Sequence, residues 1–307
     1  MITTVCLNPA IDQNAEVERI QIGGMNRLQN LSAYAAGKGI NVAVVLKQLG
    51  VDAQCLGFVG DADERYYEQS MQRQAVPFHA ITVPGSVRRN LKLVETDTRT
   101  VTELNQPGLE AHAGELDRLE DMLAQHSEAD GYAALCGSLP PGCPPDTYLS
   151  IMQKLPDRRW IVDASGEAMR HALKAKPFLI KPNQVELEEI VGHTLHDLNA
   201  VKNAAVGLCR EGVRYAAISL GGQGALITDG NRTVFAAALP VKASLTVGAG
   251  DSFLAGLLCG LSREESVLAS LRFGIASGAV CVEGGGTPAF SKRRFDELLS
   301  QTEIRDI

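Results

Sequence analysis

The sequence has no excess of basic residues: 29 Lys and Arg stand against 36 Asp and Glu, for a formal charge of -7, and the basic residues are dispersed. That argues against the electrostatic footprint of a protein built for nucleic acid or acidic membranes, while leaving room for a local cluster that holds a small anion. There is no C-x-x-C pair among the seven cysteines, and their number is odd. Neither a disulfide framework nor a zinc ribbon is expected, and the thiols read as reduced and mostly core, which points to the cytosol. The opening MITTVCLNPAID lacks the basic start and long apolar core of an export signal, and no apolar run approaches the length of a membrane span.

Several chemistries are missing as well. There is no G-x-S-x-G of a hydrolase, the six histidines are scattered, and HTLH at 193–196 reads as a solvated loop rather than a metal site. A dinucleotide fingerprint fails three times, because the G-x-G-x-x runs at 222, 248 and 37 are followed by Ile227, Phe253 and Val42 instead of Gly or Ala. Lys38 lies between two glycines but is not in a P-loop: Gly39 stands where Ser or Thr should follow, and the upstream glycine is absent. No internal repeat, low-complexity tract or long linker breaks the chain.

What is present is a 307-residue chain, 45% hydrophobic, in which β-branched runs alternate with helical patterns. The runs ITTVCLNP, YAALCGSLPPG, RWIVDASG, PFLIKPN and YAAISLGG each end in small or polar residues, as strands of a parallel sheet covered on both faces by helices do. Ligands gather beyond the C-terminal ends of such strands, where this sequence keeps Asn8, Ser138, Asp163, Lys181, Asn183 and Ser219. Residues 13–36 and 86–105 alternate at a period near two and predict short antiparallel strands. These form either a flap over the crevice or an extension of the sheet edge.

Four motifs stand out. TVGAGDSFLAG (246–256) is either a helix capped by Asp251 or an anion cradle of bare amides at Gly248, Ala249 and Gly250 with a carboxylate beside it. In AAGKGINVAVVLKQLG (35–50), glycines admit a ligand to the backbone and Lys38 offers a point charge. KPNQVELEEI (181–190) places Asn183 and Glu186 on one helix face, suited either to a capping box or to water held around a magnesium ion. SLGGQGALI (219–227) is a tight turn or a glycine-lined ledge for a nucleotide.

NPAID, AAGKGINVA, GSLPPG, KPNQVE and TVGAGDSFLAG, in this order and spacing from Met1 to about residue 300, resemble the PfkB sugar kinases. The resemblance implies the ribokinase-like fold, a three-layer α/β/α domain over 1–307 with a mostly parallel central sheet and a small β-strand lid. It implies an ATP-dependent, magnesium-requiring kinase in the cytoplasm, acting on a ketohexose monophosphate, fructose 1-phosphate before tagatose 6-phosphate or fructose 6-phosphate. Asp251 would be the catalytic base, with Gly248, Ala249 and Gly250 as the anion hole. Asn183 and Glu186 would belong to the magnesium network through water. Asp12, Gly37, Lys38, Asn41, Arg88, Asn90 and Ser138 would bind the sugar phosphate, and Lys181, Asn183, Ser219, Gly221 and Gly224 the nucleotide. A homodimer with lids packed together is implied by the same likeness.

The resemblance is incomplete at the lid, where Val87 replaces the usual threonine and Arg89 occupies an often apolar position. Alternation along the strand turns Arg88 and Asn90 inward and leaves Arg89 outward and solvated. Arg88, Arg89 and Lys92 together favour a substrate that already carries a phosphate over a neutral sugar. The helix dipole should favour ionised Asp251 and make it a weak base. A non-catalytic sugar-phosphate sensor and a nicotinamide oxidoreductase are the readings from other classes; the intact GAGD disfavours the first and the failed fingerprint the second.

Overall fold

A computed structural model describes residues 1–98, 100–242, 246–285 and 290–307. Along the chain run β1 (Ile2–Cys6), β2 (Ala10–Val17), β3 (Gln29–Ala36), β4 (Ala53–Gly60), β5 (Phe78–Val83), β6 (Arg88–Glu95), β7 (Val101–Asn105), β8 (Tyr132–Cys136), β9 (Arg159–Asp163), β10 (Leu179–Ile180), β11 (Tyr215–Ser219), β12 (Ala225–Thr228), β13 (Thr233–Ala236) and β14 (Arg305–Asp306). Ten of these make one sheet in the order β14-β13-β12-β11-β10-β9-β8-β1-β4-β5. From β11 to β5 every neighbouring pair is parallel, and β12, β13 and β14 continue the sheet antiparallel.

The strands are apolar on both faces because helices cover both. Along β8, Ala133 and Leu135 enter one buried cluster and Ala134 and Cys136 the other, the alternation a pleated strand requires. Helices Lys38–Gln48, Ala249–Ser262 and Leu271–Gly284 pack on the second face through Val42, Leu46, Leu254, Leu258 and Ile275; on the first face lie Tyr67, Leu119, Leu123, Tyr148 and Leu187. Burying each such side chain contributes about 1.5–3 kcal/mol, so the three layers are held by their apolar faces. All five strands expected from the β-branched runs form. β4 and β5, and the antiparallel edge β12–β14, were not foreseen.

A second, four-stranded sheet has the order β3-β2-β6-β7. It begins at Ala10, earlier than residue 13, and it is not wholly antiparallel: β2 and β6 run parallel, Asp12 beside Asn90 and Ala10 beside Arg88. Parallel pairing follows from connectivity, since β2 and β6 both leave the body at one end of the crevice, after β1 and β5. Buried Tyr67 ties its root, its hydroxyl donating to the carbonyl oxygens of Ala10 at 2.5 Å and Ala36 at 3.3 Å.

Arg89 does turn away from Arg88 and Asn90, but it is not a free solvated cation: its side chain is 33% exposed and its charge is paired. Its guanidinium grips Asp63 through two bonds of 2.8 and 3.1 Å and donates to the Val87 carbonyl at 2.5 Å. Asp63, nearly buried, also accepts from the Val87 amide at 2.9 Å. The unusual arginine thus serves as a clamp that fixes the start of β6 to the body.

A candidate phosphoryl-transfer site

The C-terminal ends of the central strands converge on a cleft of about 790 Å³. Lys38, Lys181, Asn183, Glu186, Asp251 and the Gly248–Gly250 turn line its polar end, and Pro240, Val241, Ile275 and Ala279 form an apolar wall. Strand ends place the ledge: Asn183 bridges to Ser219, and Ser219, Gly221 and Gly224 follow along the same cleft.

Helix Ala249–Ser262 starts at Gly248, whose φ of 79° lies in the left-handed region that favours glycine, and no side chain caps it. Asp251 is therefore not a cap. It is buried in the first turn, and its Oδ2 accepts instead from Asn41 Nδ2 at 2.7 Å. A Cβ on Gly250 would stand 3.6 Å from Lys181 Nζ, so the bare backbone there keeps open the space between the helix mouth and the lysine. The second glycine motif supplies Gly37 as N-cap of Lys38–Gln48, with φ 134°. A Cβ there would lie only 2.5 Å from Cys6 Sγ, so glycine is required for Lys38 to reach the cleft.

Asp163, at the end of β9, has no exposed surface. Its Oδ1 takes Lys38 Nζ at 3.0 Å and Lys181 Nζ at 3.4 Å, while Oδ2 has no hydrogen-bond partner among the described residues. Burial opposes its ionisation, but the ammonium groups of Lys181 and Lys38 outweigh it and hold the pKa below the ordinary value. Lys38 is correspondingly raised, chiefly by Asp163, against the desolvation that would lower it. Asp251 goes the other way. Desolvation, aided by the negative charge of Asp163, outweighs Lys38, Asn41 and Lys181 and lifts its pKa to about 6, so the expectation of a weak base does not hold: the helix dipole is overridden by burial.

Asn183 and Glu186 form the capping box, the Glu186 amide donating to Asn183 Oδ1 and the Asn183 amide to Glu186 Oε2, both at 2.9 Å. Both still face the cleft. Among the described residues no cluster of three His, Cys, Asp or Glu side chains could cage a metal. An oxygen pair at the rim fits a magnesium ion that arrives on phosphate and keeps its waters.

A second cleft of about 510 Å³ is lined by Asn8, Arg88, Gln106, Ser138 and Cys143, with Pro140 and Pro141. Arg88 Nη2 donates to the Asn8 carbonyl at 3.1 Å, and Asn8 Nδ2 to Ser138 Oγ at 3.1 Å. Among the described residues, buried Arg88 Nε and Asn8 Oδ1 have no hydrogen-bond partners. On the small sheet, Asp12 accepts from Asn90 Nδ2 at 2.9 Å and from Lys92 Nζ at 2.5 Å.

All of the expected residues fall in these neighbouring groups, with Lys38 in the large cleft beside Asp251. Sequence reasoning named Asp163 only as a strand end and gave it no part; a strand-terminal acid next to Lys181 at the end of the neighbouring strand was the available signal. It missed the apolar wall, because apolar loop residues read like core, and Asn8 was noted without a role.

Amides at a helix mouth, two lysines and a buried carboxylate suit a phosphoryl group in transfer. On an α/β sheet with a small second sheet, that combination marks a sugar kinase. Residues 2–293 match the pfkB family of carbohydrate kinases, and the chain belongs to this PfkB family. It is 34% identical over 307 residues to 1-phosphofructokinase of Haemophilus influenzae, covering 99% of this chain and 97% of the relative. The Escherichia coli K12 1-phosphofructokinase is also 34% identical, with 99% and 98% covered. The crystal structure of Escherichia coli phosphofructokinase-2 in complex with substrates and products superposes with a TM-score of 0.92 at 29% identity, covering 98% of each chain. The protein is an ATP-dependent sugar kinase of this family.

The pKa of Asp251 fixes the sign of a pH effect. An activity that needs the ionised carboxylate is expected to be level well above pH 6 and to fall about tenfold per unit below it, read as kcat/KM against pH. Asp251→Asn should lose roughly 10²- to 10⁴-fold in kcat and with it this acid limb; near-normal turnover would show that Asp251 takes no part.

Proposed function

We propose that the protein transfers the γ-phosphoryl group of ATP to the 6-hydroxyl of fructose 1-phosphate, giving fructose 1,6-bisphosphate. The observation that carries the phosphorylated substrate is the second cleft, where, among the described residues, Arg88 presents an unpartnered Nε donor near the hydroxyl of Ser138, whose oxygen already accepts from Asn8. A neutral sugar would leave that guanidinium without a counter-charge. The 1-phosphofructokinase relatives support the position of the phosphate.

In this reading residues 1–307 are one kinase domain, with the small sheet as lid. Asp251 orients the attacking hydroxyl and accepts its proton as the oxygen bonds to the γ-phosphorus; the bond to the bridging oxygen breaks, and ADP leaves. The amides at Gly248, Ala249 and Gly250 and the ammonium groups of Lys38 and Lys181 meet the charge on the moving group. A helix start and a preset ion pair need no reorganisation as that charge develops. Lys181, Ser219, Gly221 and Gly224 carry the nucleotide, whose base lies against Pro240, Val241 and Ile275. Asn183 and Glu186 would hold the waters of the magnesium ion that accompanies ATP, which screens its phosphates. Asp12 and Asn90 take sugar hydroxyls near Gly37 and Asn41. Reduced thiols suit a cytoplasmic enzyme.

The lid also carries exposed Leu31 and Leu104 on the face opposite Asp12, with Ile22 and Met25 exposed nearby. A second copy is the occupant we assign to that face; a phosphofructokinase-2 of Escherichia coli is known in a tetrameric form. Sedimentation of Leu31→Asp should yield monomers where the unmodified chain yields dimers, and two monomeric samples would remove the assignment.

ADP release with fructose 1-phosphate, fructose 6-phosphate, tagatose 6-phosphate and ribose tests the substrate. The highest kcat/KM is expected with fructose 1-phosphate, and preference for ribose would refute a phosphate-reading lid. Arg88→Ala should raise the sugar-phosphate KM about ten- to more than a hundredfold, the loss of one charge-assisted contact, and leave the ATP KM nearly unchanged. Arg89→Ala is no silent control: with the Asp63 clamp broken, about 1–3 kcal/mol of stability should go, measured by denaturant unfolding. Glu186→Gln should raise the magnesium concentration required for half-maximal rate, because an amide holds the metal's water shell less well. A variant that only melts earlier would leave Glu186 as a cap.

A further inference from the structure

Lys92 sits two residues beyond Asn90 on β6, its side chain 5% exposed, with Nζ 2.5 Å from Asp12 Oδ2. Expected as one of three cations for the substrate phosphate, it faces instead a carboxylate that is itself 9% exposed. With one donor on Asp12 and the side chain almost wholly buried, little of the ammonium is offered to a phosphate. The neighbours of this pair are defined by register: Tyr34 stands opposite Asp12 on β3, Asn90 beside it on β6, Arg88 one step toward the body, and Asn14 next to Lys92.

Buried ion pairs contribute little net stability, and apolar residues of similar size often do as well. The pair does supply geometry. Asp12 lies on β2, between β3 and β6, and each of its oxygens accepts one donor: Asn90 Nδ2 on Oδ1 and Lys92 Nζ on Oδ2. A carboxylate has about four lone-pair sites. Two donors therefore lock the plane of the group and leave one acceptor site on each oxygen, spaced to receive two adjacent hydroxyls.

We propose that Lys92 is a positioning residue for sugar recognition: with Asn90 it fixes the Asp12 carboxylate so that its two remaining acceptor sites grip a pair of neighbouring sugar hydroxyls. This rests on the reading of Asp12 as a sugar contact. Lys92 itself touches no substrate and acts only through Asp12. Its loss therefore affects the sugar side of the reaction, and only while the Asp12 carboxylate is there to be held.

A double-mutant cycle on the full chain tests this, with KM for fructose 1-phosphate, KM for ATP and kcat measured for Lys92→Met, Asp12→Asn and the two combined. Lys92→Met should raise the sugar-phosphate KM roughly ten- to a hundredfold, the scale of one charge-assisted hydrogen bond, with the ATP KM within about twofold. Lys92→Arg, which keeps a cationic donor, should restore most of it. In the Asp12→Asn background the same Met substitution should change the sugar-phosphate KM by less than about twofold, since groups that act through one another are not additive. If Lys92→Met alone folds poorly, Lys92→Arg in the native and Asp12→Asn backgrounds gives the same cycle with a cationic donor retained. An unchanged sugar-phosphate KM in Lys92→Met, or full additivity in the cycle, overturns the role of Lys92. An unchanged KM in Asp12→Asn overturns the assignment of Asp12 to the sugar.

Discussion

The cleft is organised around the attraction of one buried carboxylate for two ammonium groups. Asp163 ends β9, Lys181 follows the adjacent β10, and Lys38 opens the helix Lys38–Gln48 behind Gly37, so one acid gathers three parts of the fold. Without it, Lys181 would be a buried cation lacking compensation, an arrangement that proteins avoid because desolvating a lone charge is costly. With it, two positive charges stand ready at the helix mouth of Gly248–Gly250. Both lysines lie on one oxygen of Asp163 and the other has no partner among the described residues, so the pairing is lopsided.

The same burial acts in opposite directions on the two aspartates. Asp163 stays ionised because its partners are in contact with it. Asp251, in the first helix turn beside the amides, has Asn41 as its one side-chain partner among the described residues and the lysines less close, so desolvation, with the charge of Asp163 adding to it, wins. Proximity of counter-charge separates a structural anion from a carboxyl able to bind and release a proton near neutral pH.

Much of this was legible in sequence because parallel α/β sheets deliver their strand ends to one edge, and residues such as Ser138, Lys181 and Ser219 announce those ends. The helix mouths were legible too, through glycines whose backbone angles no other residue adopts easily. Less visible was anything decided by long-range pairing. Asn183 and Glu186 fit both a capping box and a metal network, and the local geometry satisfies the first without removing the second from the cleft. Arg89 read as solvated because its partner Asp63 lies 26 positions away in another loop, and Lys92 read as a phosphate ligand because Asp12 is 80 positions distant. The antiparallel edge strands were hidden by their shortness, four residues each in β12 and β13. The Asp251 shift needed the three-dimensional burial that no local motif encodes.

The division of labour along β6 constrains how such a protein can change. Arg88, Asn90 and Lys92 face the crevice while Arg89 faces Asp63, and only the pleat keeps the two sets apart. Adding or deleting a single residue between Val87 and Lys92 would exchange them, sending the clamp into the sugar site and the sugar ligands into the body. The descent of this segment is therefore confined to replacement at fixed length. New sugar preferences can be reached one side chain at a time on the inner face, while the turn before it is held to the body as well, the Gly85 amide donating to Asp61 and its carbonyl oxygen accepting from the Ala62 amide.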